Sequence, residues 1–163
     1  MGMGSFAVSS FVIGYADLKK LCPKEIAAIE KEQYFKDVGW NSIGQWLAWD
    51  DDDQFKENVF EAVEDRDDKK PGRDSCDNDK YEKITETVFS KYEQHIQNLK
   101  NAFSKKTGLT LYFDYYDEDS GNRYDEPNDK DGCIFCVDGM VVLSPAGEKY
   151  KNIVTERRWT QYG

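Results

Sequence analysis

One histidine, His95, stands in 163 residues, so any acid–base or metal chemistry built on paired imidazoles is excluded. The chain has no G-x-S-x-G, no G-x-x-x-x-G-K-[ST] and no G-x-G-x-x-G. Hydrolase elbows, phosphate-cradling loops and dinucleotide sites therefore have no footing in it. No apolar run reaches the ~18 residues of a membrane span. The most apolar stretch, FAVSSFVIGY (Phe6 to Tyr15), lacks the basic flank and small-residue cleavage site of a signal peptide, and reads as a buried strand. MGMGSF at the start places Phe6 where an N-myristoylation signal needs Ser or Thr. Positive charge is the remaining scarcity: 22 bases against 32 acids leave a formal net charge of −10. The backbone of a nucleic acid and an anionic membrane both repel such a chain. The expected partner is a cationic protein, and the expected location is the cytoplasm.

What is present is enough apolar and aromatic material for a core, 39% and 14% of residues. The periodicities predict an α+β fold, with a small, mostly antiparallel sheet packed against one long and several shorter helices. Residues 1–163 read as a single domain with a helix-rich part over 14–107 and a β-rich part over 108–163. Residues 65–79, which contain Pro71 and Gly72, read as a flexible connection. A strand is expected over 5–13, and Pro23 suits the first position of a helix. FKDVGWNSIGQWLAW, with two glycines and three tryptophans, fits a packed loop or a short helix. Tyr81, Ile84, Val88, Tyr92, Ile96, Leu99 and Phe103 recur at intervals of three and four, predicting a helix from about 78 to 106 that Gly108 ends. LTLYFDYY is a strand, and CIFCV-DG-MVVL has the form of a hairpin with a two-residue turn at Asp138-Gly139. Ser144-Pro145 opens a short helix, and TERRWTQYG adds a last strand.

The negative charge is gathered rather than spread. Residues 50–79 carry 13 acids and 5 bases, net −8, and residues 111–139 carry 9 acids and 2 bases, net −7, while the remainder sums to +5. Like charges closer than a Debye length of ~8 Å repel, so clustering costs stability that an interspersed surface would keep. In the first block Phe55, Val59, Ala62 and Val63 share one side of a helix, and Glu57, Glu61, Glu64, Asp65 and Asp68 fall on the other. One of Asp50, Asp51, Asp52 and Asp53 caps its start, where the helix dipole favours negative charge. These nine acids, with Asp117, Glu118 and Asp119 of the second block, are the expected partner-binding residues. No catalytic residue, metal ligand or cofactor is assigned.

This composition is that of small acidic inhibitors of nucleic-acid-processing defence systems, the DNA mimics among anti-restriction and anti-CRISPR proteins; the likeness is one of composition and of no motif. The expected function is thus a non-enzymatic inhibitor that masks a basic, nucleic-acid-binding surface of a partner. The first alternative is an immunity protein that neutralises a cationic nuclease toxin, with Trp40, Trp46, Trp49 or Trp159 as aromatic anchors. The second is a calcium-binding or enzymatic module using the acidic turns of residues 114–131. Against calcium, an EF-hand register that sets Gly132 at position six puts Pro127 at position one and leaves no glutamate at position twelve. CIFC is a C-x-x-C, but in a strand its two thiols diverge, and Cys22, Cys76 and His95 add no paired spacing for zinc. The segment from Cys133 to Asn152 resembles the wing hairpin of winged-helix regulators, which implies DNA contact; the acid turns beside it meet phosphates with the wrong sign.

Overall fold

The computed structural model describes residues 5–49, 52–66, 75–115, 122–124, 133–138, 150 and 152–162. The architecture is α+β, with every described strand pairing antiparallel. Among the described residues the first strand, β1 (Ser5–Ile13), is followed by five helices, and the remaining strands come after them. The helices are α1 (Tyr15–Leu21), α2 (Pro23–Glu30), α3 (Phe35–Trp49), α4 (Asp52–Asp65) and α5 (Ser75–Thr107). The strands are β2 (Thr110–Tyr115), β3 (Asn122–Tyr124), β4 (Cys133–Asp138) and β5 (Val154–Tyr162), in the sheet order β2-β4-β1-β5-β3. Nine consecutive pairs from Ser5↔Tyr162 to Ile13↔Val154 join β1 to β5 and bring the two ends of the fold side by side.

The strand over 5–13 and the long helix fall where periodicity puts them, α5 running three residues further at its start and one at its end. Its close is chemical. Gly108 adopts φ 77°, a conformation that costs glycine little, and its N–H donates to the Ser104 carbonyl at 2.8 Å. The ambiguous FKDVGWNSIGQWLAW segment is helical on both sides of a break at Gly39, where φ is 61° and ψ 178°. A side chain would strain that backbone, so the first glycine sets a corner and the second is absorbed into helix. Pro23 takes the first turn of α2, as expected. β4 differs from the hairpin expectation: β2 and β1 fill its two edges, through Thr110↔Asp138 to Tyr115↔Cys133 on one side and Val12↔Cys136 on the other. The second arm of that hairpin (140–143) and the short helix expected after Ser144 lie outside the described residues, Tyr150 apart.

Two aromatic knots hold the layers together. Trp40, 1% exposed, stacks on Phe113 of β2 and meets Phe135 of β4 edge-on at 5.2 Å between ring centroids, fixing α3 against the sheet. Trp46, Phe55, Phe89 and Tyr92 join α3, α4 and α5, with Trp46–Phe55 centroids 5.1 Å apart and Phe55–Tyr92 5.6 Å apart. α5 serves both ends of the helical layer. Its first half packs on α4 through Tyr81 against Phe60 at 5.8 Å. Its second half meets the start of the chain, where His95 Nε2 lies 2.7 Å from Glu32 Oε1 and Lys106 donates to the Leu21 carbonyl. No described helix is long and apolar enough to cross a membrane.

Two core substitutions have opposite expected signs. Phe55→Ala leaves a void among three rings and is expected to lower unfolding free energy by about 3–5 kcal/mol. Tyr92 is wholly buried and its hydroxyl finds no hydrogen-bond partner among the described residues. Tyr92→Phe removes an unsatisfied polar atom and should leave stability unchanged or raise it by about 1 kcal/mol. Urea unfolding curves measure both, and a Tyr92→Phe protein clearly less stable than the parent would contradict the assignment.

Candidate functional site

α4 is gripped from two directions. Its Phe55, Val59, Ala62 and Val63 are buried as the helical wheel requires. The ring of Phe60 turns toward α5, and Asn58 donates to Ser42 Oγ of α3 at 2.6 Å. What remains in water is narrow: Asp53, Glu57, Glu61 and Asp65, all exposed and each four residues from the next. They form one ridge along the helix, about 18 Å from end to end at 1.5 Å per residue.

None of the four carboxylates has an ion-pair or hydrogen-bond partner among the described residues. The two described bases at this helix are engaged elsewhere. Lys56 Nζ lies 5.0 Å above the Phe89 ring of α5. Arg66 donates to Asp37 Oδ2 at 2.6 Å and to the Gln33 carbonyl at 3.0 Å, with its guanidinium 5.4 Å from the Tyr34 ring. Both cations rest on aromatic faces, where a partly desolvated cation is stabilised, and both still line the grooves beside the ridge, Lys56 with Asp53 and Glu57 and Arg66 with Glu61 and Asp65.

Glu64 requires a correction. The wheel assigns it to the outer stripe, yet it is 4% exposed. It follows Phe60 by one turn and shares the side of α4 that faces α5, so the second helix contact takes it inward. It is not without a partner there. Of the other expected residues, Asp52 is the first residue of α4. Asp50, Asp51 and Asp68, and the second block's Asp117, Glu118 and Asp119, lie outside the described residues. Two acids that the sequence reading passed over do belong here. Glu82 and Glu86 of α5 are exposed and share with Asp53 and Glu57 the walls of a groove of about 340 Å³ between the helices, floored by Phe60 and Thr85. Their four-residue spacing on the side of α5 away from Val88 was the available signal. A polar groove of about 720 Å³ flanks the ridge on its other side, between Asn41 and Ser42 of α3 and Glu61 and Asp65 of α4.

The competing chemistries find less. Trp40 and Trp46 are core residues at 1% and 5% exposure, so neither anchors a partner; the side chains of Trp49 and Trp159 lie outside the described residues. No group of three or more metal-ligating side chains occurs among the described residues. His95 is half-buried and turned to Glu32. CIFC lies in β4, where Cys136 is wholly buried. Burial pushes the Cys136 thiol up to about 12, the Asp114 carboxylate adds to this, and a hydrogen bond with Tyr112 pulls back. Burial raises the Cys22 thiol too, assisted by Glu25 and opposed by Lys106. Thiols held protonated are poor nucleophiles and poor metal ligands. No family model, curated protein or solved structure matches this chain.

The thiol assignment has a pH signature. The Cys136 thiol is neutral in folded and unfolded chains below its ordinary value of 9.0. Above that only the unfolded chain ionises, so this group withdraws stability as pH rises from about 9 toward about 12. Denaturation midpoints across that window should fall less steeply for Cys136→Ala than for the parent. Equal slopes would mean the thiol is not shielded.

Proposed function

We propose that this protein is a non-enzymatic inhibitor whose α4 ridge occupies a Lys- and Arg-lined groove of a nucleic-acid-binding partner. The observation that carries the proposal is the ridge itself: Asp53, Glu57, Glu61 and Asp65 form one i,i+4 row, exposed and without an ion-pair or hydrogen-bond partner among the described residues. Over about 18 Å one DNA strand presents about five phosphates at 3.4 Å each. Four carboxylates on the ridge, with Glu82 and Glu86 beside two of them, give a comparable density of negative charge. Such a surface exchanges with a phosphate backbone by competing for the same cations, and its attraction is strongest at low salt. The buried positions of Trp40 and Trp46 favour this reading over an immunity protein anchored on aromatic side chains. The free thiols of Cys22 and Cys136 support a reducing, cytoplasmic setting.

The test is displacement of labelled duplex DNA from a lysine- and arginine-rich DNA-binding domain, followed by fluorescence anisotropy across a salt series. The parent should displace DNA, and increasingly poorly as salt rises. The quadruple variant Asp53→Asn, Glu57→Gln, Glu61→Gln, Asp65→Asn should need about tenfold more protein for the same displacement. A control removing four charges elsewhere, Asp17→Asn, Glu25→Gln, Glu93→Gln, Glu156→Gln, separates position from net charge. It should behave as the parent. Equal loss in both variants would reduce the effect to bulk charge and remove the ridge from the account. Glu64→Gln, which alters a buried side chain, should lower stability while leaving displacement intact.

A further inference from the structure

We infer that the groove where α2 begins and α5 ends receives an acidic peptide segment bearing one apolar side chain, supplied by a second partner. The inference is independent of the α4 ridge, which packs against the opposite half of α5. Charge along α5 is graded. Residues 79–93 mix acids with bases, whereas from Gln94 to Thr107 the helix carries Lys100, Lys105 and Lys106 and no carboxylate. Lys19, Lys20 and Lys24 of α1 and α2 are matched in those helices by Asp17, Glu25 and Glu30, so the positive sign of this end, in a chain of net −10, comes from the lysines of α5. The groove has a volume of about 470 Å³, with Leu21, Pro23 and Ala102 as its apolar lining and Lys24, Lys105 and Lys106 as its cations.

The cations differ in what they already do. Lys106 donates to the Leu21 carbonyl and holds α5 to the end of α1. Lys19, outside the groove, pairs with Glu30 at 3.3 Å. Lys24 and Lys105 are exposed and have neither an ion-pair nor a hydrogen-bond partner among the described residues. Glu25 is the carboxylate on the wall and leaves the lining at net +2, a charge that suits a short segment with a few acids better than a dense polyanion. Two free ammonium groups beside an apolar surface complement carboxylates flanking a hydrophobic residue: the side chain covers Leu21 and Ala102 while the charges meet Lys24 and Lys105. A nucleic acid or an anionic bilayer fits less well. Either would extend past the groove and meet the net negative charge of the rest of the chain, and neither offers a single side chain to the apolar floor.

A fluorescein-labelled peptide with one phenylalanine between two pairs of glutamates is the probe, titrated with the full chain by anisotropy. Saturable binding that weakens with salt is expected. It should fall by at least about tenfold when glycine replaces the phenylalanine, and again in Lys24→Glu, Lys105→Glu. Both lysines are exposed, and circular dichroism checks that the variant folds. The ridge variant Asp53→Asn, Glu57→Gln, Glu61→Gln, Asp65→Asn should bind the peptide as well as the parent does, so failure here and failure of the inhibitor reading are separate results. The inference is overturned by no saturable binding up to about 1 mM peptide, by binding indifferent to the lysine substitutions, or by lysine-dependent capture of duplex DNA or anionic vesicles in place of the peptide.

Discussion

The roll of α4 about its own axis is the setting on which the surface depends. Phe55 fixes it, with Trp46 behind, Phe89 beside and Tyr92 edge-on. With that ring wholly buried, a residue 100° onward per step has no freedom to choose its side, and Asp53, Glu57, Glu61 and Asp65 are delivered to water together. A rotation of one residue would drive a carboxylate toward α3 and lift an aromatic ring out of the core. Burying a phenylalanine is worth about 1.5–3 kcal/mol. Two exposed carboxylates about 6 Å apart repel by about 0.7 kcal/mol in water before screening. The core therefore dictates where the charge goes, and repulsion is too weak to object.

The same comparison explains why the helix keeps its shape under an unfavourable pattern. Successive ridge residues are i,i+4 neighbours of like sign, each pair destabilising by about 0.2–0.5 kcal/mol. Lys56 and Arg66 soften this field only from the grooves on either side, since they sit on Phe89 and Tyr34 at 5.0 and 5.4 Å and pair with no ridge carboxylate among the described residues. In those places they add to the cohesion of α4 with α5 and with the turn before α3. The helix thereby gives up direct ion pairs on its surface for contacts at its flanks.

Much of this was legible in the sequence, and the exceptions share one cause. The limits of β1, the apolar stripe of α5 and the stop at Gly108 are local properties, set by side-chain period and by one positive φ, and they read directly. Gly39 could have been placed only by knowing that Trp40 must reach Phe113 and Phe135 in the sheet. The edges of β4 are closed by β1 and β2, a long-range pairing that the DG dipeptide does not encode. Glu64 is the instructive residue of the ridge. A single apolar stripe describes a helix with one neighbour, whereas α4 has two, and Phe60 on Tyr81 was the sign of the second. The same second contact brings Glu82 and Glu86 up to Asp53 and Glu57.

α5 converts these local facts into a polarised molecule. Its 33 residues span about 50 Å, with α4 on the first half and α2 on the second. Glu86 and Lys105 lie 19 residues apart, about 28 Å along the axis and more than three times the ~8 Å Debye length, so the acidic groove and the lysine groove do not neutralise one another at physiological salt. Nor can they touch, because the aromatic knot fixes α4 at one end and the Lys106–Leu21 and His95–Glu32 contacts fix α1 and α2 at the other. Charges that can neither screen nor reach each other within the molecule stay available to others. That makes each end electrostatically separate, with its own sign and its own geometry.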